Sequence, residues 1–352
     1  MFMRQIDIYS EPKKFYKKML EDIESAKNYI YLETFIYRDD IVGRAFKNAL
    51  TKKATEGVKV KLLIDAWGVT INKKDYFKQL IKNGGEVRYF REIKYVIRFF
   101  TKNHERNHRK LLLIDGRISY IGSANISTEF YNGREMVIRI DGDITKLLEK
   151  IFLNSWENAG KLNKKRIKRI IYKSFEIVQD FPSEIHRITE RKYVNLIKKA
   201  KKEILIETPY FVPSRGVRKA FASVIKKGVK IKILIPKISD VALMDVVRGV
   251  YLGIIYRLGV DIYYYKQPLH SKLLIIDNKQ FLLGSSNLDY RSFHHQFEIN
   301  LIGNDEKITR ELRKSYYTAL ANSELFSYKK WKQRSSVKKI YELFLLLVRK
   351  YL

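Results

Sequence analysis

The sequence predicts an α/β protein made of two related halves, each a mixed, mainly parallel sheet flanked by helices, with one site shared at their interface. Three observations carry this expectation. Short apolar, β-rich runs alternate with helical stretches, as strands and helices of layered α/β domains do. The chain repeats itself at three successive places, and its chemistry-bearing residues recur once per repeat at unchanged spacing. At 352 residues there is length enough for two domains that each bury a core.

Taken in order, the first strand is Tyr29 to Phe35, ending Glu33-Thr34-Phe35, and its counterpart is Ile204 to Phe211, carrying Glu207-Thr208-Pro209. Next, a helical stretch stops at Gly57 and a strand runs to Asp65; the same sequence of helix, glycine stop and strand recurs from Gly228 to Pro236. Tyr95 to Phe100, apolar around Arg98, fits a buried strand or the lining of a lipid entrance. The third match sets His108 to Asn125 against His270 to Asn287, 162 residues apart. The predicted divisions are a first half over 1–160, a basic connector over 161–175, a second half over 176–330 and a basic tail over 331–352.

Charge is the unusual feature of the composition. Seventy Lys and Arg against 38 Asp and Glu give +32, a field that attracts nucleic acid or an anionic membrane surface. The absence of cysteine excludes disulfides, thiolate nucleophiles and cysteine-held zinc. Met1 to Ser10 has no apolar run of the kind that makes a leader or anchor. Val241 to Val260 is interrupted by Asp245, Arg248 and Arg257 and is expected as a packed helix rather than a membrane span. In the tail, Val337, Ile340, Tyr341, Phe344, Leu345 and Val348 recur at helical spacing beside lysines. That pattern suits a helix docked on the core or one lying in a headgroup layer.

Each repeat of the third match carries His, Lys two residues later, four apolar residues, Asp, and then Gly-Ser-x-Asn. The residues are His108, Lys110, Asp115, Ser123 and Asn125, and His270, Lys272, Asp277, Ser285 and Asn287. Alternation on an extended chain puts His and Lys on one face. A phosphate needs such a set: ammonium for charge, amide and hydroxyl for hydrogen bonds, imidazole to attack phosphorus or move a proton. One copy has a nucleophile without an acid for the leaving group; two copies complete a site. Asp115 and Asp277 belong to the motif, and their place beyond the apolar run suits a turn-holding role.

The doubled His-x-Lys-x4-Asp pattern with Gly-Ser-x-Asn resembles the phospholipase D superfamily. Within it, Glu207-Thr208-Pro209-Tyr210-Phe211-Val212-Pro213, Asn107-His108-Arg109-Lys110 and Gly284 to Ser292 followed by Glu298 are similar to bacterial cardiolipin synthases, in a peripheral form without amino-terminal membrane helices. Departures are Gly122-Ser123 where Gly-Gly is frequent, Gly133-Arg134-Glu135 for Trp-Arg-Asp, and Gln296 for Asn. The resemblance implies transfer of a phosphatidyl group between two phosphatidylglycerols, without metal or cofactor, through a phosphohistidine. His108 would be nucleophile, His270 acid and then base, with Lys110, Lys272, Asn125, Asn287, Ser123 and Ser285 around the phosphoryl oxygens. Glu298 would orient His108, and Glu135 would orient His270. It also implies peripheral attachment at the cytoplasmic face of a bacterial membrane. Lipid hydrolysis, nucleic-acid cleavage and a catalytically silent anion-binding module are the competing functions, of which nucleic acid is disfavoured by the apolar tail. Acceptor identity and oligomeric state are left open by the sequence.

Overall fold

In the computed structural model, which describes residues 3–69, 71, 75–91, 105–159 and 170–348, the repeats fold into two mixed sheets with helices on their faces. Tyr95 to Phe100 lies outside the described residues. The first half runs β1 (Met3–Tyr9), α1 (Pro12–Glu24), β2 (Tyr29–Thr34), α2 (Ile41–Thr55), β3 (Lys59–Asp65), α3 (Lys78–Lys82), β4 (Glu86–Phe90), β5 (Arg106–Asn107), β6 (Leu111–Ile114), β7 (Ile118–Gly122), β8 (Val137–Gly142) and α4 (Ile144–Glu157). The second runs β9 (Ile170–Tyr172), β10 (Phe175–Asp180), α5 (Ile188–Lys199), β11 (Glu203–Glu207), α6 (Arg215–Ile225), β12 (Lys230–Pro236), α7 (Ala242–Arg257), β13 (Asp261–Tyr265), β14 (Leu273–Ile276), β15 (Gln280–Gly284), α8 (Tyr290–His294), β16 (Gln296–Gly303), α9 (Glu306–Ala321), β17 (Ser323–Leu325), α10 (Tyr328–Lys332) and α11 (Ser336–Val348).

The local signals explain the repeated unit. Asp40 and Ser214 cap α2 and α6 by accepting from Gly43 N and Val217 N, and Gly57 and Gly228 turn the chain at φ 84° into β3 and β12. Parallel pairing is confined within each sheet to β2, β3 and β4, and to β11, β12 and β13. The other pairings within the sheets are antiparallel, which corrects the expectation of mainly parallel sheets. The physical reason is the motif itself: β6 to β7 and β14 to β15 are hairpins, and strands joined by a short turn can only run antiparallel. Charge density was also a poor guide to the connector's end, because Ile170 to Tyr172 and Phe175 are already paired in the second sheet.

Helices α1 and α2 cover the outer face of the first sheet, and α5 and α6 that of the second. Between the sheets lies one shared core. Leu148, Phe152 and Trp156 of α4 and Leu312 and Tyr316 of α9 pack there with Leu113 and Ile138 from one sheet and Phe281 and Leu301 from the other. The halves also join through their backbones. β5 pairs in parallel with β16, and Arg134 bridges Leu269. These cross-half pairings fall immediately before the two histidines, so the halves are in register where the chemistry requires it.

Candidate active site

His108 and His270 precede β6 and β14 rather than lying within them, in extended lead-ins pinned from the opposite half: His108 N donates to Phe297 O at 2.9 Å and His270 N to Arg134 O at 2.8 Å. Both rings are almost wholly buried. Nδ1 of His108 faces Glu298 Oε1 at 3.1 Å, and Nδ1 of His270 faces Glu135 Oε1 at 2.8 Å, so each imidazole is oriented by a carboxyl from the other half. The second ring nitrogen of each is thereby left for the pocket, in the way a carboxylate orients the base of a catalytic triad. Phe35 meets the His108 ring edge-on at 5.1 Å, and Phe130 stacks on His270 at 4.5 Å.

The histidines open into one cavity of about 520 Å³, lined also by Asn125, Asn287, Arg38, Trp67, Glu129, Tyr210, Asp289, Arg291 and the apolar Val241, Leu243 and Met244. Polar groups converging beside an apolar wall suit a ligand with a charged head and hydrocarbon behind it. Lys110 and Lys272 are buried, and each ammonium donates to the carbonyl of the histidine two residues before it, at 2.5 and 2.6 Å. Burial pushes Lys272 down to about 8 and Lys110 well below the usual lysine range. Asn125 Oδ1 accepts from Ile36 N at 3.2 Å, which turns its amide nitrogen to the pocket side.

One expected role is corrected. Ser123 and Ser285 donate to Glu135 and Glu298 and accept from Met136 N and Ile299 N; these hydroxyls hold the orienting acids, not a phosphate. The glycine before each serine makes this possible: a Cβ on Gly122 would meet Met136 O at 2.2 Å, and one on Gly284 would meet Ile299 O at 2.3 Å. Asp115 and Asp277 do not reach the pocket. Each sits at φ near +52° in its hairpin turn and accepts three backbone N–H groups, from Lys27, Asn28 and Tyr29 and from Lys201, Lys202 and Glu203. They tie the motif hairpin to the start of the neighbouring strand.

The two acids are not electrostatically equivalent. Burial raises Glu298 to about 8, with Lys110 and Ser285 opposing and nearby Asp289 reinforcing. Burial also works to raise Glu135, but His270, Lys272 and Ser123 more than offset it and hold the carboxyl below its ordinary value. His108 is driven well down by burial and by the charges of Lys110 and Lys272. The two acids are thus shifted in opposite directions, Glu298 up and Glu135 down.

Several supporting residues carry no local sequence signal. Glu33 accepts from Asn107 Nδ2 at 2.7 Å; Asp65, pushed by burial to about 6, accepts from Asn107 N at 2.7 Å. Arg134 forms a buried cross-half ion pair with Glu207 at 2.7 Å, and Arg109 reaches Glu298 O, Ser155 Oγ and Asp180 O. Arg134 beside Glu135, and Glu207 at the end of its strand, were visible in the sequence, but the pairing between Arg134 and Glu207 was not.

Two histidine half-sites joined at the boundary of a duplicated α/β pair define the phospholipase D class. A comparison of structures agrees on the fold: phosphatidylserine synthase from Haemophilus influenzae superposes with a TM-score of 0.80 at 14% identity, over 99% of this chain and 95% of that one. Residues 19–156 and 193–318 match the family described as "Cardiolipin synthase, PLD-like domain", and the chain belongs to that family. Curated cardiolipin synthases are similar along most of their length: 32% identity with cardiolipin synthase 1 of Staphylococcus epidermidis, over 94% of this chain and 70% of that protein, and 31% with that of Clostridium perfringens, over 97% and 76%. Cardiolipin synthase of Listeria welshimeri is 30% identical over 91% of this chain and 69% of its own.

Proposed function

We propose that the protein is a phosphatidyltransferase that makes cardiolipin and glycerol from two molecules of phosphatidylglycerol. The observation that carries the chemistry is the crossed pairing of each histidine, at one pocket, with a carboxyl from the other half. His108, its Nδ1 held by Glu298, is suited to attack phosphorus through Nε2. The bond from phosphorus to the glycerol oxygen breaks as His270, held against ionised Glu135, gives that oxygen a proton. In the second step His270 takes the proton from the hydroxyl of another phosphatidylglycerol; its oxygen bonds phosphorus and the bond to His108 breaks. Lys110, Lys272 and the asparagine amides support the charge on the phosphoryl oxygens in a site largely closed to water.

Peripheral attachment to the membrane fits the surface of α11. The helix packs on α7 through Leu345 and buries Glu342 against Arg334 at 2.9 Å, while Val337, Ile340, Leu343 and Phe344 are each more than half exposed. The same packing cluster includes Met244, with Tyr210 and Leu243 packed against it, and all three line the catalytic cavity, so the helix that carries the exposed apolar row packs, through its buried face, next to the pocket wall. Among the described residues no helix is long and apolar enough to cross a membrane.

The test mixes purified protein with phosphatidylglycerol vesicles, without added divalent metal, and follows lipids by mass spectrometry beside a His108→Ala control. Cardiolipin and glycerol formed only by the intact protein support the assignment. Phosphatidic acid in their place means hydrolysis, and no lipid turnover refutes the lipid function.

A further inference from the structure

The half-sites correspond beyond the motif, out to the residues that line the pocket, and one corresponding pair has opposite charge. Four residues past the motif asparagine, Asn125 leads to Glu129 and Asn287 leads to Arg291. The correspondence holds in space, because Ile126 and Leu288, next after each asparagine, make the same parallel bridge, to Tyr37 and to Phe211. Glu129 and Arg291 both line the cavity that holds His108 and His270.

Their surroundings differ. Glu129 lies 3.7 Å from the Arg38 guanidinium, so that part of the rim is internally balanced. Arg291 has a described carboxylate neither in ion-pair contact nor in hydrogen-bond contact, and its Nε is buried without a hydrogen-bond partner among the described residues. Its guanidinium carbon lies 5.7 Å from the Trp67 ring centroid, across the boundary between the halves. A buried N–H with no acceptor is costly unless a ligand supplies one. In the reaction proposed above, the reacting phosphate is already assigned Lys110, Lys272, Asn125 and Asn287.

The transfer reaction contains a second anion. An acceptor phosphatidylglycerol brings its own intact phosphodiester, separated from the attacking hydroxyl by the three carbons of glycerol. We propose that Arg291 binds this second phosphodiester and so selects a phosphate-bearing alcohol over glycerol or water as acceptor. The proposal rests on the transfer reading above. A guanidinium is suited to the task because its planar fork engages two phosphate oxygens at once.

The experiment uses phosphatidylglycerol vesicles with deuterated glycerol in the buffer and compares the intact protein with Arg291→Gln and Arg291→Lys. Two acceptors then compete for one intermediate: lipid attack gives cardiolipin, and free glycerol gives deuterated phosphatidylglycerol. Loss of a charge-assisted contact made only by the lipid lowers the ratio of cardiolipin to deuterated lipid by about ten- to a hundredfold in Arg291→Gln, with Arg291→Lys between. An unchanged ratio, with both products falling in step, overturns the proposal. So does loss of both products in Arg291→Gln beside a normal ratio in Arg291→Lys. If the intact protein exchanges glycerol but makes no cardiolipin, the transfer reading fails first, and the second-phosphate site falls with it.

Discussion

Replacing Glu298 by glutamine should stabilise the protein at alkaline pH and leave it nearly unchanged at pH 5. Burial raises the folded-state pKa from its ordinary 4.5 to about 8, so between those values the folded chain keeps a proton that the unfolded chain releases. Stability is therefore lost as pH rises through this window. A shift of this size is worth about 5 kcal/mol as a ceiling, and relaxation of Lys110 and His108 around the charge brings the expected gain at pH 9 to roughly 2–5 kcal/mol. For a chain this long, with an unfolding entropy of about 0.7 kcal/mol/K, that is a rise in Tm of about 3–7 °C. Glu135→Gln should act in the opposite sense. Its carboxyl is held below the ordinary value by His270, so it contributes stability at neutral pH that fades as pH falls, and the glutamine variant should be less stable at pH 7. Thermal unfolding of the three proteins at pH 5, 7 and 9 measures this. Parallel pH dependence in the two variants would refute the opposite shifts of the two acids.

Arg134→Met strands the buried Glu207 carboxylate and should cost about 3–5 kcal/mol, most of it recovered in Arg134→Met with Glu207→Gln; denaturant unfolding checks both. Asp115→Ala removes the acceptor of three backbone N–H groups and should cost about 2–3 kcal/mol, while the rate per folded molecule stays within about twofold, since the residue is a turn holder. Placing glutamate at both Ile340 and Phe344 should weaken binding to anionic vesicles by at least about tenfold in a sedimentation assay, with Tm nearly unchanged because both side chains are exposed.

What was legible in the sequence was what is local. Strand, glycine stop and strand can be read from runs of a few residues, and the motif spacing survives duplication because a hairpin of fixed length carries it. Strand direction was misjudged because the apolar runs Leu111–Ile114 and Leu273–Ile276 look the same in a parallel or an antiparallel sheet. The serine roles were misjudged for a related reason: a hydroxyl beside a phosphate motif is chemically able to serve the ligand, and only the fold shows Glu135 and Glu298 closer at hand. The tail was legible as a helix. Which face it buries was not, because Glu342 is held inside by Arg334, a partner outside the helix, while Val337, Ile340, Leu343 and Phe344 are exposed.

The duplication also explains why the halves are interdependent. Each histidine takes its orienting carboxyl and its backbone anchor from the opposite half, so neither half alone can hold an imidazole in the tautomer that a displacement at phosphorus requires. A symmetric pair would leave both histidines equally fit to attack. The symmetry is broken outside the motif, at positions two and four residues past the asparagines. Ser127 corresponds to Asp289, whose nearby charge raises Glu298, and Glu129 corresponds to Arg291. The shared motif supplies the same chemistry twice. In the proposed reaction, those flanking differences distinguish the half that receives the second lipid.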